Sequence, residues 1–321
     1  MSAAVLARLA AIFLTIAAGW VAARARWLGG PGHEPAVVLS NATFVVFVPA
    51  LLFRTMARLD LQAMPWRALA AYFVPVLLCA ALVYLEQARR RARRAFAPEV
   101  PAARTVSAVY GNGVQLGLPM ASALFGERGL ALHVALVSMH GLVLLTLMTA
   151  LAELDRARHA PRSTLAATIA TTVRRAVVHP IVLPVLAGLA WNLARLPLPA
   201  ALDEALAALG AAVVPLCLVL IGVSLAAYGL RAGWRGALAL GAVKLVLLPA
   251  LVLAVAHWGF GLAGQSLAVL VMMAALPTGS NALIFAQRYR VLEAEASATI
   301  VLSTLAFIVS AAGWLALLAR F

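Results

Sequence analysis

Ten long apolar runs, separated by short polar connections, divide the chain. A helix that crosses a bilayer needs about 20 predominantly apolar residues, and most of the runs reach that length. We number the predicted helices as spans 1 to 10, and they cover residues 4–23, 35–53, 66–86, 104–125, 129–151, 179–194, 205–229, 235–257, 265–287 and 296–319. The predicted fold class is therefore an all-α polytopic membrane protein with ten transmembrane helices.

The composition of the 321-residue chain agrees with this pattern. Hydrophobic residues make up 64% of it and charged residues 11%, and the mean hydropathy is +1.00. Soluble domains carry about 25% charged residues. The composition excludes a soluble protein.

The 25 basic residues lie mainly in the connections. Seventeen lie in the connections after odd-numbered spans, seven lie at the termini or in the even connections, and Lys244 lies inside span 8. Because Lys and Arg favour the cytoplasmic side, we expect both termini outside and the odd connections inside. The net charge of +14 is thereby explained without a nucleic-acid partner. The longest connection is predicted to contain an interfacial helix over residues 163–178.

Prolines within the spans predict an internal repeat. Span 2 carries Pro49 and span 7 carries Pro215, and the further pairs are Pro75 with Pro249 and Pro119 with Pro277. Each partner lies five spans later, and an odd number of crossings inverts the second set relative to the first. We therefore predict a 5+5 inverted repeat, typical of transporters, with a first repeat at 1–151, a cytoplasmic connection at 152–178 and a second repeat at 179–321.

Span 4 contains a sequence that a straight membrane helix does not tolerate. Three glycines, two amides and a proline occur within ten residues, and irregular backbone at this depth survives only beside protein or a watery cavity. We assign the break to Gly111, Gly113, Gly117 and Pro119. Asn112 and Gln115 are candidate substrate ligands, because half-helix N-termini bind anions and amides add donors.

Span 9 repeats this arrangement with Pro277, Thr278, Gly279 and Asn281. Pro277 and Gly279 are predicted to break the helix, and Thr278 and Asn281 are candidate substrate ligands. If the two broken helices cross, Asn112 and Asn281 surround one site. The alternative is that the amides only bind helices to one another.

Two ionisable side chains lie near the middle of predicted spans. Lys244 needs a counter-charge there, and an anionic substrate would supply one; the alternative is a lysine that reaches the headgroups. His140 in span 5 is a candidate for proton coupling, or a neutral histidine that links helices. His133 and His257 are expected at the interface. All eleven acidic residues lie at span ends or in connections, which disfavours a cation antiporter.

Enzymatic chemistry has no candidate residues in this sequence. Cys79 and Cys217 lie too far apart for a metal motif and are expected to be core residues. Neither H-E-x-x-H nor G-x-S-x-G occurs. We therefore expect no enzyme activity, no metal and no cofactor.

Over nearly its whole length the chain resembles the auxin efflux carriers and their bacterial relatives, the malate or malonate permeases. The similarity rests on the order of several short motifs, which are Asn-to-Gly-Leu-Pro at 112–119, the small-residue stretch to Phe-Gly at 121–126, Gly-Leu at 188–189, Leu-Pro-Leu-Pro at 196–199, Pro277 and Ser-Thr-Leu at 303–305. Two positions depart from the family pattern. Gln115 replaces a bulky aromatic residue, which favours a more polar substrate than auxin, and His179 replaces the Asn before Pro180.

This resemblance implies a scaffold of spans 1, 2, 6 and 7 and a transport part of spans 3–5 and 8–10. It also implies elevator-type alternating access for a small organic anion, and we expect a mono- or dicarboxylate. The expected partners are this anion and the lipid of a bacterial inner membrane, with a homodimer as a further candidate. The alternatives are a sodium- or proton-coupled carrier of the bile-acid-symporter type and a non-transporting membrane sensor.

Overall fold

A computed structural model describes residues 3–28, 35–59, 64–94, 96–159, 182–228 and 233–321. Regular structure in these ranges is helical. The α-helices are α1 Ala3–Arg24, α2 Pro35–Ala42, α3 Val48–Ala57, α4 Trp66–Arg94, α5 Val100–Val109, α6 Leu118–His159, α7 Val182–Leu193, α8 Ala200–Tyr228, α9 Trp234–Ala242, α10 Leu248–Ala254, α11 Gly264–Ala275, α12 Asn281–Tyr289 and α13 Glu293–Leu318. Helix α6 kinks at Gly126, whose φ of 61° is costly for any other residue.

Five helical segments in the described residues are long and apolar enough to cross a membrane. They are Trp66–Arg91, Met120–Arg158, Ala200–Val223, Trp234–Gly259 and Glu293–Leu318. Shorter apolar helices occur at Phe13–Arg24, Val45–Ala57, Leu183–Leu193 and Gly264–Ala275. The all-helical membrane fold is thus confirmed in outline, whereas the count of ten crossings stays a prediction. The interfacial helix predicted at 163–178 lies outside the described residues.

Three prolines follow a widened, π-helical turn. These turns span Thr43–Phe47, Gly113–Gly117 and Val243–Leu247, and Pro49, Pro119 and Pro249 each come two residues after one of them. The proline ring clashes with the carbonyl four residues earlier, and that residue is the middle one of each turn. For Pro249 it is Leu245, whose carbonyl accepts a hydrogen bond from Trp314 Nε1 at 2.8 Å. For Pro49 and Pro249, the wider turn makes room for the ring without ending the helix.

The helices pack in two groups. The first helix group consists of α1, α2, α3, α7 and α8, in which α1 lies along α8 and α3 lies against both α7 and α8. The second helix group consists of α4, α5, α6 and α9–α13, and it contains most of the buried core. Packing within each group is more extensive than packing between the groups. The first group contains the described helices of predicted spans 1, 2, 6 and 7, and the second group contains those of spans 3–5 and 8–10.

Two glycines bring the backbones of α1 and α8 into contact. A Cβ atom on Gly19 would lie 2.3 Å from the carbonyl oxygen of Val219, and one on Gly222 would lie 2.0 Å from that of Ile16. Small residues allow this close approach, which favours packing between membrane helices. Gly188 of α7 has the same relation to Phe53 of α3, at 2.4 Å.

Candidate functional site

Both predicted helix breaks exist, and the two broken segments are hydrogen-bonded to each other. Helix α5 ends before the irregular residues 110–112, and α11 ends before residues 276–280. Gly111 and Thr278 form an isolated antiparallel β-bridge. Asn112 N donates to Pro277 O at 2.8 Å, and Gly279 N donates to Tyr110 O at 2.9 Å. We call residues 110–112 and 276–280 together the crossing.

The local sequence explains why the helices stop there. Pro277 has no N–H to continue α11, and Gly279 leaves space for the opposite chain. A Cβ atom on Gly279 would lie 2.9 Å from Gly111 O and 3.3 Å from Asn112 N. The bridge then pairs backbone groups that the interrupted helices leave without partners, which is a requirement inside a bilayer.

The hydrogen bonds at the crossing form two matching sets. Thr278 lies 167 residues after Gly111, and Gly279 lies 167 residues after Asn112. On this spacing Asn112 corresponds to Gly279 and Tyr110 corresponds to Pro277. The bond from Asn112 N to Pro277 O therefore corresponds to the bond from Gly279 N to Tyr110 O. This twofold relation is common to antiparallel bridges, and the spacing of 167 residues defines which residues of the two strands correspond.

The same spacing relates the last carbonyl groups of the two preceding helices. Ser107 O of α5 accepts a hydrogen bond from Thr278 Oγ1 at 2.8 Å, and Ala274 O of α11, 167 residues later, accepts one from Lys244 Nζ. The amide groups at the bridge also correspond. Gly111 N donates to His140 Nε2 at 3.2 Å, and Thr278 N donates to Ser303 Oγ at 3.1 Å.

The two predicted asparagines both lie at the crossing. Asn112 is 8% exposed, and its backbone N–H pairs with Pro277. Asn281 is half-buried at the first residue of α12, and its side chain hydrogen-bonds the Tyr110 hydroxyl. Gln115 belongs to the π-helical turn after the first break, and its side chain lies outside the described residues.

Thr278 and Lys244 lie at the crossing with no exposed surface. The Thr278 hydroxyl proton is directed to Ser107 O in this conformation. The Lys244 ammonium contacts the other half-helix end, and it lies 3.4 Å from the position that a Cβ atom on Gly111 would occupy. The side chain of Lys244 therefore lies inside the protein and does not extend toward the lipid headgroups.

Two histidines of α6 form hydrogen bonds with the backbone at the first break, one as an acceptor and the other as a donor. His140 Nε2 accepts the Gly111 N–H, so this nitrogen carries no proton, and His140 Nδ1 lies 3.4 Å from the Tyr72 hydroxyl. His133 Nε2 pairs with Gly113 O at 2.8 Å, which makes this nitrogen the donor. The expectation that His133 faces the interface was wrong, because a buried histidine two turns from His140 shares its helix face and reaches the same loop.

The remaining residues assigned to the breaks occupy different positions. Gly111, Pro277 and Gly279 lie in the crossing, whereas Gly113 and Gly117 begin and end the π-helical turn. Pro119 follows that turn in α6. The bridge therefore pairs Pro277 with Tyr110, which lies nine residues before Pro119. This register differs from the pairing of Pro119 with Pro277 on which the predicted repeat rests.

Metal ligands do not cluster in the described residues: no group of three His, Cys, Asp or Glu side chains is placed to hold a metal ion. Cys79 and Cys217 are buried and free, as expected for core residues. Within the same residues, Glu295 forms the most buried ion pair, a two-bond contact with Arg104 at 2.8 and 3.0 Å. This pair joins the start of α13 to α5, away from the crossing.

Comparison with known proteins identifies the family. A search of curated proteins found no match to the chain. The family model for membrane transport proteins matches residues 4–315, which is nearly the whole length. This match covers both helix groups and both strands of the crossing. The chain belongs to the membrane transport protein family that contains the auxin efflux carriers.

Proposed function

We propose that the protein is a secondary transporter that moves a small organic anion, a mono- or dicarboxylate, across the membrane. The observation that carries the proposal is the hydrogen-bonded crossing of two interrupted helices in a member of a transport family. Interrupted helices in corresponding positions of two halves are the best sequence pointer to a transporter binding site. Irregular backbone at membrane depth also favours a protein-lined or watery cavity there.

The substrate carboxylate would bind beside the starts of the second half-helices. Half-helix N-termini carry partial positive charge, so they stabilise an anion in a medium of low polarity. The amides of Asn112, Gln115 and Asn281 would donate hydrogen bonds, and Thr278 would contribute from the bridge. Lys244 would add positive potential from behind the crossing, because its ammonium is next to Gly111.

We propose that the two helix groups move relative to each other as an elevator. The extensive packing inside each group, and the lesser packing between them, suits rigid-body motion of the second group against the first. The occurrence of one interrupted helix in each half, with the two interruptions paired across the bridge, supports an inverted 5+5 repeat. The charge distribution supports odd connections in the cytoplasm of a bacterial inner membrane and both termini outside.

The test is charge movement in proteoliposomes on a solid-supported membrane. A panel of carboxylates is added with and without sodium and with and without a pH gradient. We expect a saturable anion current in the wild type, none in Asn112→Ala, and none in Lys244→Ala when sodium is absent. Asn41→Ala is the matched control, because Asn41 is an exposed asparagine in α2. Size-exclusion profiles show whether each variant has folded.

Each other outcome identifies an alternative. A response that requires sodium or protons would favour a coupled carrier of the bile-acid-symporter type. Ligand binding without flux would favour a membrane sensor. Normal currents in Asn112→Ala and Lys244→Ala would refute the assigned site while leaving the transport function intact.

A further inference from the structure

The two half-helix C-termini at the crossing are capped by groups of different charge. The last carbonyls of a helix lack intrahelical partners and carry partial negative charge. At α5 a neutral hydroxyl, that of Thr278, caps Ser107 O. At α11 the equivalent carbonyl, Ala274 O, is capped by the ammonium of Lys244.

The difference follows from one position in the chain. The residue equivalent to Thr278 on the 167-residue spacing is Gly111, which has no side chain to provide a cap. The Cε and Nζ atoms of Lys244 both lie 3.4 Å from the position of a Cβ atom on Gly111. The lysine thus fills the place of the absent side chain and reaches the carbonyl that such a side chain would bind.

A cation at the C-terminal end of an interrupted helix is a feature of ion-coupled transporters. In transporters with broken helices, unwound carbonyls and half-helix C-terminal ends coordinate the coupling Na⁺ or proton. Among the described residues, no carboxylate forms an ion pair with Lys244. The ammonium therefore faces the helix end as an ion would. We propose that Lys244 is a tethered cation that takes the place of a dissociable coupling cation at the crossing.

This inference rests on the proposed transport function and specifies its coupling: the crossing needs no Na⁺. Its test requires neither a substrate nor flux, so its failure is distinguishable from failure of the transport proposal. The thermal midpoint of the purified full chain is followed by tryptophan fluorescence. Choline chloride is replaced stepwise by sodium chloride or methylammonium chloride at constant ionic strength.

We expect the wild-type midpoint to change by less than about 1 °C on this replacement. In Lys244→Ala the midpoint should be lower in choline, and up to about 100 mM Na⁺ or methylammonium should raise it saturably by about 3 °C or more, because a cation that binds only the folded state stabilises it. Lys244→Gln keeps a neutral N–H donor and should also be less stable than wild type in choline. Thr278→Val removes the neutral cap and should lower the midpoint equally in every salt.

Three results would overturn the proposal. The first is a saturable Na⁺ effect on the wild type, since the site would then accept a free cation beside the lysine. The second is a Lys244→Ala variant whose stability is independent of the cation. The third is a Lys244→Gln variant as stable as wild type in choline, because the hydrogen bond alone would then suffice. If Lys244→Ala does not fold, the wild-type and Lys244→Gln measurements decide.

Discussion

Replacing Gly279 by alanine tests whether the bridge holds the two broken helices together. The new Cβ atom would lie 2.9 Å from Gly111 O and 3.1 Å from the carbonyl carbon of the same residue. Both neighbours are backbone atoms, so rotation of a side chain does not relieve the contact. Gly279 does not require a positive φ, and the contact is therefore the main effect of the substitution.

The geometry gives the expected magnitude. An ordinary contact requires the strands to separate by roughly 0.5 Å, which lengthens the bridge hydrogen bonds of 2.8 and 2.9 Å beyond their normal range. Overpacking typically costs about 1–3 kcal/mol, and each weakened hydrogen bond costs about 0.5–1 kcal/mol more. With two hydrogen bonds weakened, we expect a total of about 2–5 kcal/mol, which lowers the thermal midpoint by on the order of 10 °C.

The assay is thermal unfolding of the purified variant beside a matched control. Gly241→Ala is that control, because Gly241 is also buried and its nearest neighbour, Ser303 Cβ, would lie at 3.9 Å. We expect Gly241→Ala to unfold close to the wild type. If Gly279→Ala unfolds within about 2 °C of Gly241→Ala, the bridge does not constrain the two strands and the reasoning is refuted.

Three further predictions concern other parts of the molecule. Glu295→Gln should lower stability by about 1–3 kcal/mol, because it removes the carboxylate that pairs with the partly buried guanidinium of Arg104, whereas Glu86→Gln in an exposed pair should cost less than about 1 kcal/mol in the same denaturation measurement. Gly222→Ala should force α1 away from α8 and reduce the yield of folded protein, whereas Gly313→Ala, whose Cβ atom meets nothing within 4 Å, should not. A C-terminal alkaline phosphatase fusion should be active and a fluorescent protein fusion dark; the opposite result would reverse the predicted topology.

The positions of the helix breaks can be predicted from the sequence, whereas the hydrogen-bond partners of the backbone groups at the breaks cannot. Glycine, proline and amide residues mark the places where a helix cannot continue, and both breaks lie where Gly111 and Pro277 placed them. The pairing of Pro119 with Pro277 does not match the bridge register. Pro119 follows a π-helical turn that comes after the break, whereas Pro277 lies in the break itself. Proline composition does not distinguish these two situations.

The side chains that form hydrogen bonds with the backbone at the helix breaks also cannot be predicted from the sequence. His133 is close to a predicted span end, yet it reaches Gly113 O because α6 runs beside the loop. A lysine inside a predicted span is unusual, but the contact of Lys244 with Ala274 O depends on the packing of α9–α11. Such contacts join residues far apart in sequence, so they follow from the tertiary fold rather than from local patterns.

The bridge makes each half of the chain incomplete without the other. If the two halves were separated, each would have two backbone groups in the crossing without hydrogen-bond partners. These groups are Asn112 N and Tyr110 O in the first half, and Pro277 O and Gly279 N in the second half. Each orphaned group costs about 1–3 kcal/mol when it is buried. Two fragments made as separate polypeptides should therefore survive in a cell only as a complementing pair.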